Sequence, residues 1–183
     1  MAIEFNPDLT YPSTVNSTGE AKQSDKTNKT GKFVPLITMN GEPIKKVTSK
    51  EIDKAVNEPS PRKATKMLLS NSPIGLSDMP EQKTLEKMGY TFANTGYHKG
   101  APVIYESKGG GTITVYDGKG SAEMGEDKRK IVYQNGRYIQ EMYYDDNGKL
   151  TAGKIVIKDD IAGFTEAQYD FMVKDNKLET VIK

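Results

Sequence analysis

Cysteine is absent from the 183 residues of the chain, which excludes disulfides, thiolate nucleophiles and cysteine-ligated metal sites. The single histidine, His98, lies in the loop-like stretch TGYHKGAP, so a metal site built from several histidines is also excluded. A Ser-His-acid triad would need His98, and no Gly-x-Ser-x-Gly turn is present to hold its nucleophile. The sequence therefore predicts no metal, no cofactor and no catalytic residue of these kinds.

Long apolar runs and an excess charge of one sign are also missing. No run approaches the roughly 18 residues of a membrane span, and the start MAIEFNPDLTYPS lacks the basic-then-apolar pattern of a signal peptide. The 26 basic and 25 acidic side chains leave a net charge of +1, which gives no overall attraction to nucleic acid. We expect a soluble protein, either cytoplasmic or exported without a Sec-type signal peptide.

Apolar side chains are almost missing from Pro12 to Lys32, where Val15 and Ala21 are the only two. So little apolar surface cannot offset the entropy lost on ordering, so residues 1–32 are predicted to form a disordered tail. The next stretch, FVPLITMNGEPI, is the first apolar cluster, and its proline restricts it to an edge strand or an extended segment. Residues 33–47 are therefore predicted to be an extended tether.

Three short helices are predicted within residues 48–89. Thr48 and Glu51 have the spacing of a capping box at the start of SKEIDKAV. Ser60 followed by Pro61 places a cap residue and a first-turn proline ahead of RKATKMLLS. Helices of about two turns are unstable alone, so they must pack on a larger element.

The third helix, EQKTLEKM, has less clear boundaries. Ser77 or Asp78 is the candidate N-cap and Pro80 suits the first turn. Gly89 can adopt the left-handed conformation that often ends a helix.

The rest of the chain, residues 90–183, alternates β-rich runs with turn signals. The runs are YTFA, PVIYES, TITVY, KIVYQ, RYIQEMYY, KLTAGKIVIK, YDFMV and LETVI. Short links without long helices favour antiparallel strands joined as a meander. We therefore predict one α+β domain over residues 48–183, with about six to eight strands preceded by the short helices.

Thr165 and Gln168 also form a capping-box pattern, which leaves Thr165 to Val173 as either strand or helix.

Strand pairing is predicted from the positions of two turns. Asn135-Gly136 as the two central turn residues would pair Tyr133 with Tyr138, Val132 with Ile139 and Lys130 with Glu141. Asp175-Asn176 would likewise pair Val173 with Leu178, Phe171 with Thr180 and Tyr169 with Ile182.

The stretch YYDDNGKLTAG resembles a calcium-binding loop only in part. With Gly148 at the sixth position of such a loop, the first and twelfth positions are Tyr143 and Lys154, which supply no carboxylate. Asn147-Gly148 between β-rich runs instead predicts a hairpin. The segment YYDDNGKL resembles the hairpins of MORN-like and tyrosine-aspartate-repeat proteins, although the uneven glycine spacing along the chain does not support a regular repeat.

Carboxylate chemistry needs neither cysteine nor histidine. Four acidic residues on or beside the strands are candidates for a glycosidase-like pair: Glu106, Asp117, Glu141 and Asp145. The alternative is that these charges are solvated or paired, with Lys130 as the partner of Glu141. A glycan-active enzyme is therefore the least favoured of three functions.

Tyrosine is the abundant aromatic residue, with 10 copies against five phenylalanines and no tryptophan. A tyrosine ring buries area while its hydroxyl stays wet, which suits a sheet face that contacts another molecule. The candidate binding-face residues are Tyr133, Tyr138, Tyr143 and Tyr144. We expect a non-catalytic protein-binding or structural module whose partner is a protein or a second copy, with a polysaccharide as another candidate and no nucleic acid. The alternative is an exported effector or surface protein.

Overall fold

The computed structural model describes residues 46–96, 101–117 and 129–182. The predicted tail (1–32), nearly all of the predicted tether (33–47) and His98 lie outside the described residues. The described helices are α1 (Ser49–Val56), α2 (Pro61–Asn71) and α3 (Gln82–Lys87). The strands are β1 (Thr91–Thr95), β2 (Val103–Ser107), β3 (Gly111–Tyr116), β4 (Arg129–Asn135), β5 (Tyr138–Tyr144), β6 (Leu150–Lys158), β7 (Thr165–Lys174) and β8 (Lys177–Ile182).

The eight strands form one sheet in which spatial order equals chain order and every pairing is antiparallel. The predicted α+β meander with short helices ahead of it is confirmed. The segment from Thr165 is a strand, so its helical alternative is wrong. Its inward side chains, Tyr169, Phe171 and Val173, recur every second residue and are buried, which only a strand allows.

The first two helices begin as predicted. The Thr48 side chain accepts a hydrogen bond from the Glu51 amide, and the Glu51 carboxylate accepts one from the Thr48 amide, which completes a capping box. The Ser60 hydroxyl accepts from the Lys63 amide, with Pro61 as the first helical residue. Both starts are therefore local features that the sequence specifies.

The predicted start of the third helix is wrong. Helix α3 begins at Gln82 behind Glu81, which makes no side-chain cap, rather than at Ser77 or Asp78. Asp78 instead accepts a hydrogen bond from the Leu150 amide at 3.3 Å, and the Met79 amide donates to the Gly148 carbonyl at 2.9 Å. The segment ahead of α3 is therefore not helical, and its hydrogen bonds hold the loop between β5 and β6.

The hairpin between β7 and β8 has the predicted turn. Asp175 and Asn176 both have positive φ angles, 49° and 57°, and Val173 lies opposite Leu178. A bulge next to this pair then shifts the register by one residue, so Phe171 lies opposite Val181 rather than Thr180. The prediction holds up to the bulge and fails beyond it.

The predicted register of the hairpin between β4 and β5 is wrong. The turn consists of Gly136 and Arg137, so Asn135 pairs with Tyr138 and Tyr133 pairs with Gln140. Gly136, with φ of 57°, occupies the first central position of a tight turn, whereas it was expected at the second. The turn therefore begins one residue later in the sequence than predicted. Because each partner shifts by two residues, every side chain keeps its predicted face.

One face of the sheet packs against the helices. Buried side chains from all three helices and from strands β2 to β8 form one hydrophobic cluster. Two hydrogen bonds join its polar atoms to the helical layer: the Tyr169 hydroxyl donates to the Ala55 carbonyl at 3.2 Å, and the Gln140 amide donates to the Gly75 carbonyl at 3.1 Å. Tyr138 donates to the Gln140 side-chain oxygen at 2.9 Å. The hydroxyls and the amide thus connect the sheet to the helical layer. The Tyr144 hydroxyl, in contrast, is buried without a hydrogen-bond partner among the described residues.

Gly153 in β6 is a site where the backbone closely approaches an aromatic ring of the core. It lies opposite Met142 and Phe171. A Cβ atom added here would overlap ring carbons of Phe171 and lie 2.9 Å from the Glu141 carbonyl oxygen. The phenyl ring therefore occupies the space that any other residue at position 153 would need.

We predict that Gly153→Ala lowers the free energy of unfolding by about 2 to 3 kcal/mol, because the extra methyl group forces the ring and the strand apart. Urea unfolding followed by circular dichroism measures this. Gly136→Ala is the matched control: its site has open space but a positive φ, so it should cost about 1 kcal/mol.

Phe171→Leu tests the cause. If the clash with the ring destabilises Gly153→Ala, the two substitutions together should cost less than the sum of their separate effects. Strict additivity would contradict the steric explanation.

Candidate binding face of the sheet

The predicted binding-face tyrosines do not lie on one face. Tyr133, Tyr138 and Tyr144 are 0%, 0% and 5% exposed, and they belong to the core under the helices. Tyr143 is half-buried on the opposite face. Three of the four candidates are therefore core residues rather than surface anchors, because neighbouring residues of a strand alternate between its two sides.

The face opposite the helices, called here the open face, consists of partly exposed residues. In β5 the inward residues are buried and the alternate ones are half-exposed, a pattern that β4 and β6 largely share. The pairing registers place these residues on the open face: Ile104, Thr114, Tyr116, Lys130, Val132, Ile139, Glu141, Tyr143, Lys154, Val156, Asp170 and Met172. Aliphatic, aromatic and charged side chains are therefore mixed across it.

The carboxylate of Glu141 is the centre of a polar network on the open face. The Tyr143 hydroxyl donates to one of its oxygens at 2.6 Å, and the Lys154 ammonium lies 3.4 Å from the other. Lys130 lies 3.7 Å from the carboxylate and also 4.9 Å from the centre of the Tyr116 ring. The network around one carboxylate thus joins two lysines and two tyrosines on four neighbouring strands.

The contacts in this network shift the pKa values of Glu141 and Tyr143 in opposite directions. Burial alone raises the pKa of the Glu141 carboxyl, but the Tyr143 hydrogen bond and the charges of Lys130 and Lys154 outweigh it and hold the pKa below the ordinary value of 4.5. Burial and the neighbouring Glu141 raise the pKa of the Tyr143 hydroxyl above its ordinary 10.0. A general acid needs the opposite shift in its carboxyl group, so the arrangement suits recognition better than proton transfer.

Of the other carboxylates proposed for a glycosidase-like pair, two have local contacts of their own and one is exposed. Asp117 forms an ion pair with Arg129 at 3.1 Å. Glu106 is exposed on β2, near the edge of the sheet. Asp145 accepts hydrogen bonds from the amides of Asn147 and Lys149, both at 2.9 Å. Each is therefore accounted for by local structure, and the proposal of a carboxylate pair gains no support from these contacts.

The YYDDNGKLTAG stretch forms the predicted hairpin between β5 and β6. Asp145 organises its loop through the two amides it binds, and Gly148 has a φ of 75°. The register shifts beside Tyr144, as a bulge at this turn requires. Asp145 is therefore a turn former, as predicted. Among the described residues no group of three or more acidic or histidine side chains is arranged to hold a metal ion.

Sequence reasoning missed two other features of the surface. The loop between β6 and β7 exposes Ile161 and Phe164, and Arg137 contacts carboxylates on three different segments. The signal for the loop was present, because DDIAGF places two large apolar residues among turn formers. No local pattern indicated the carboxylate partners of Arg137, since Asp53 is far from it in the sequence.

No family model, curated protein or solved structure matches the chain. In the part of the chain that the structure describes, no helix is long and apolar enough to cross a membrane. Any function must therefore be argued from the geometry of these surfaces.

We predict that Glu141→Gln destabilises the protein by about 1 to 2 kcal/mol at neutral pH, because a partly buried charged hydrogen-bonding centre is lost. The lowered pKa means that this stabilisation is present above the ordinary glutamate value of 4.5 and is lost as pH falls through the lower folded value. The difference between wild type and variant should therefore shrink on acidification, as urea unfolding at a series of pH values measures.

Glu106→Gln is the control, since it removes an exposed carboxylate from the same face and should change stability by less than about 0.5 kcal/mol. A Glu141→Gln effect that stays constant or grows on acidification would contradict the network.

Proposed function

We propose that the protein is a non-catalytic module that binds a protein partner through the open face of its sheet. The observation that carries this proposal is the placement of Tyr143 beside half-exposed aliphatic residues on a face that the described helices leave uncovered. Contiguous apolar groups on a soluble surface usually mark an interaction site.

The composition of the face favours a protein over other ligands. Val132 and Ile139 lie on adjacent strands, and Met172 lies two strands further along with 46% of its side chain exposed. Aromatic and methionine side chains are enriched at the centres of protein interfaces, where charged groups are depleted. Two of the charged residues here, Lys130 and Lys154, are paired with Glu141, which lowers the cost of removing them from water.

Tyr143 is the best candidate for an anchor. Its ring stands on a rigid central strand, and its hydroxyl is held by Glu141, so little side-chain entropy remains to be lost on binding. Most of the binding energy of a protein interface usually comes from a few residues, and rigid aromatic residues of this kind are common among them.

We predict that Tyr143→Ala weakens binding of the partner about 10- to 30-fold, equivalent to about 1 to 2 kcal/mol. The full chain would capture partners from cells, and each purified candidate would be titrated against wild type and variant by calorimetry. Tyr143→Phe retains the ring and should keep most of the affinity.

Phe164→Ala is the matched control, because Phe164 is an exposed aromatic residue outside the open face. A partner on the open face should bind this variant as it binds wild type. If Tyr143→Ala stays folded and keeps every partner at full affinity, the open face is only a solvated surface.

A further inference from the structure

The loop between β6 and β7 exposes two large apolar side chains. Ile161 is 97% exposed and Phe164 is 72% exposed. Single exposed apolar residues are common, but two within four residues on one projecting loop form a compact apolar tip. This loop, Asp159 to Phe164, is called the apolar loop below.

The apolar loop is held in one conformation by its first residue. The Asp159 carboxylate accepts hydrogen bonds from the amides of Ala162 at 2.9 Å and Phe164 at 3.2 Å. The Asp159 amide donates to the Phe164 carbonyl at 2.9 Å, which closes the loop. A preorganised loop loses little entropy on docking, so its exposed side chains are suited to binding.

Arg137 lies at the base of the apolar loop, where it binds a backbone carbonyl and several carboxylates. Its guanidinium donates to the Lys158 carbonyl at 2.9 Å and to the Asp160 carboxylate at 3.1 Å, and it also pairs with Glu166. Asp53 of α1 completes the set at 3.3 Å. With Asp159, this region contains four carboxylates and two cations, Arg137 and Lys158, so the apolar tip has an acidic rim.

A groove of about 520 Å³ with the opposite character lies between α2 and the start of β8. Leucines from both sides form its apolar part, and three cations line it without a carboxylate among the described lining residues. The lining residues are Arg62, Lys66, Leu69, Ser70, Leu76, Asn176, Lys177 and Leu178. Arg62 is fixed across it by a hydrogen bond to the Leu178 carbonyl. An adjoining pocket shares Arg62, Lys177 and Leu178 and adds Lys174, Asp175 and Glu179, so cations still outnumber carboxylates across the two. Two apolar side chains with an acidic rim are therefore complementary to this groove in charge.

The apolar loop and the groove lie at opposite ends of β7. The loop immediately precedes Thr165, and the groove is lined by residues that follow Lys174. Ten residues of strand extend over roughly 33 Å. The loop therefore cannot reach the groove of its own chain.

We propose that the apolar loop of one copy of the protein docks in the α2–β8 groove of a second copy. Each copy then has one loop and one groove, so the contact is head-to-tail and repeats until it closes a ring or extends a filament. The acidic rim disfavours insertion of the loop into an anionic membrane. This contact uses neither Tyr143 nor the rest of the open face, so it is independent of the proposed function above.

Sedimentation velocity of the full chain at rising concentration tests the proposal. We expect the weight-average mass of wild type to rise past that of a dimer and to fall with added salt, because opposite charges meet at the contact. The double variant Ile161→Ser with Phe164→Ser removes the apolar tip. The double variant Lys66→Glu with Lys177→Glu reverses the charge of two residues that line the groove. All four side chains are exposed, and each double variant should weaken self-association at least about 10-fold.

Mixing the two double variants gives the sharpest result. The first retains a working groove and the second a working loop, so one contact forms per pair and the mixture should contain dimers but nothing larger. Lys83→Glu with Lys87→Glu, an equal charge reversal on exposed lysines of α3, should leave self-association at the wild-type level.

Three results would overturn the proposal. They are a monomeric wild type up to about 1 mM, a mixture of the two double variants that stays monomeric, or self-association that survives both double variants. Loss of association with Tyr143→Ala alone would assign the contact to the open face instead.

Discussion

The two-residue period of the strands is the constraint on which the rest of the structure depends. It turns Tyr133, Tyr138 and Tyr169 toward the helices, where burial removes their rings from water. A buried hydroxyl without a partner is costly, and the hydroxyl of Tyr169 finds its acceptor in the helical layer, at the Ala55 carbonyl. The same period turns Tyr143 outward, so the core and the open face follow from one geometric rule.

Most elements of the fold could be predicted because their signals are local. The capping box at Thr48, the cap at Ser60, the turn at Asp175 and the strand alternation each depend on residues within a few positions of one another. The register beyond a turn was less predictable, since the bulge in β7 and the choice of Gly136 as the first turn residue depend on neighbouring strands. The late start of α3 has the same origin, because the β5–β6 loop uses the backbone ahead of it.

The candidate site was only partly predictable. The pairing of Lys130 with Glu141 was expected from the sequence, and the ion pair forms diagonally despite the wrong register. Which face the helices would cover was not encoded in β5 alone, since both of its faces carry apolar residues. The groove between α2 and β8 joins segments more than a hundred residues apart, and no pattern in either segment indicates the other.

Strictly sequential pairing of the strands also affects how the protein folds. Each strand pairs only with its neighbours in the sequence, so the sheet can grow one hairpin at a time without closing long loops. Contacts between the helical layer and the last two strands are different, since Ala55 and Tyr169 are 114 positions apart and Arg62 and Leu178 are 116 apart. Those contacts can form only after β7 and β8 have joined the sheet, so we expect docking of the helices over the far end of the sheet to be a late step in folding.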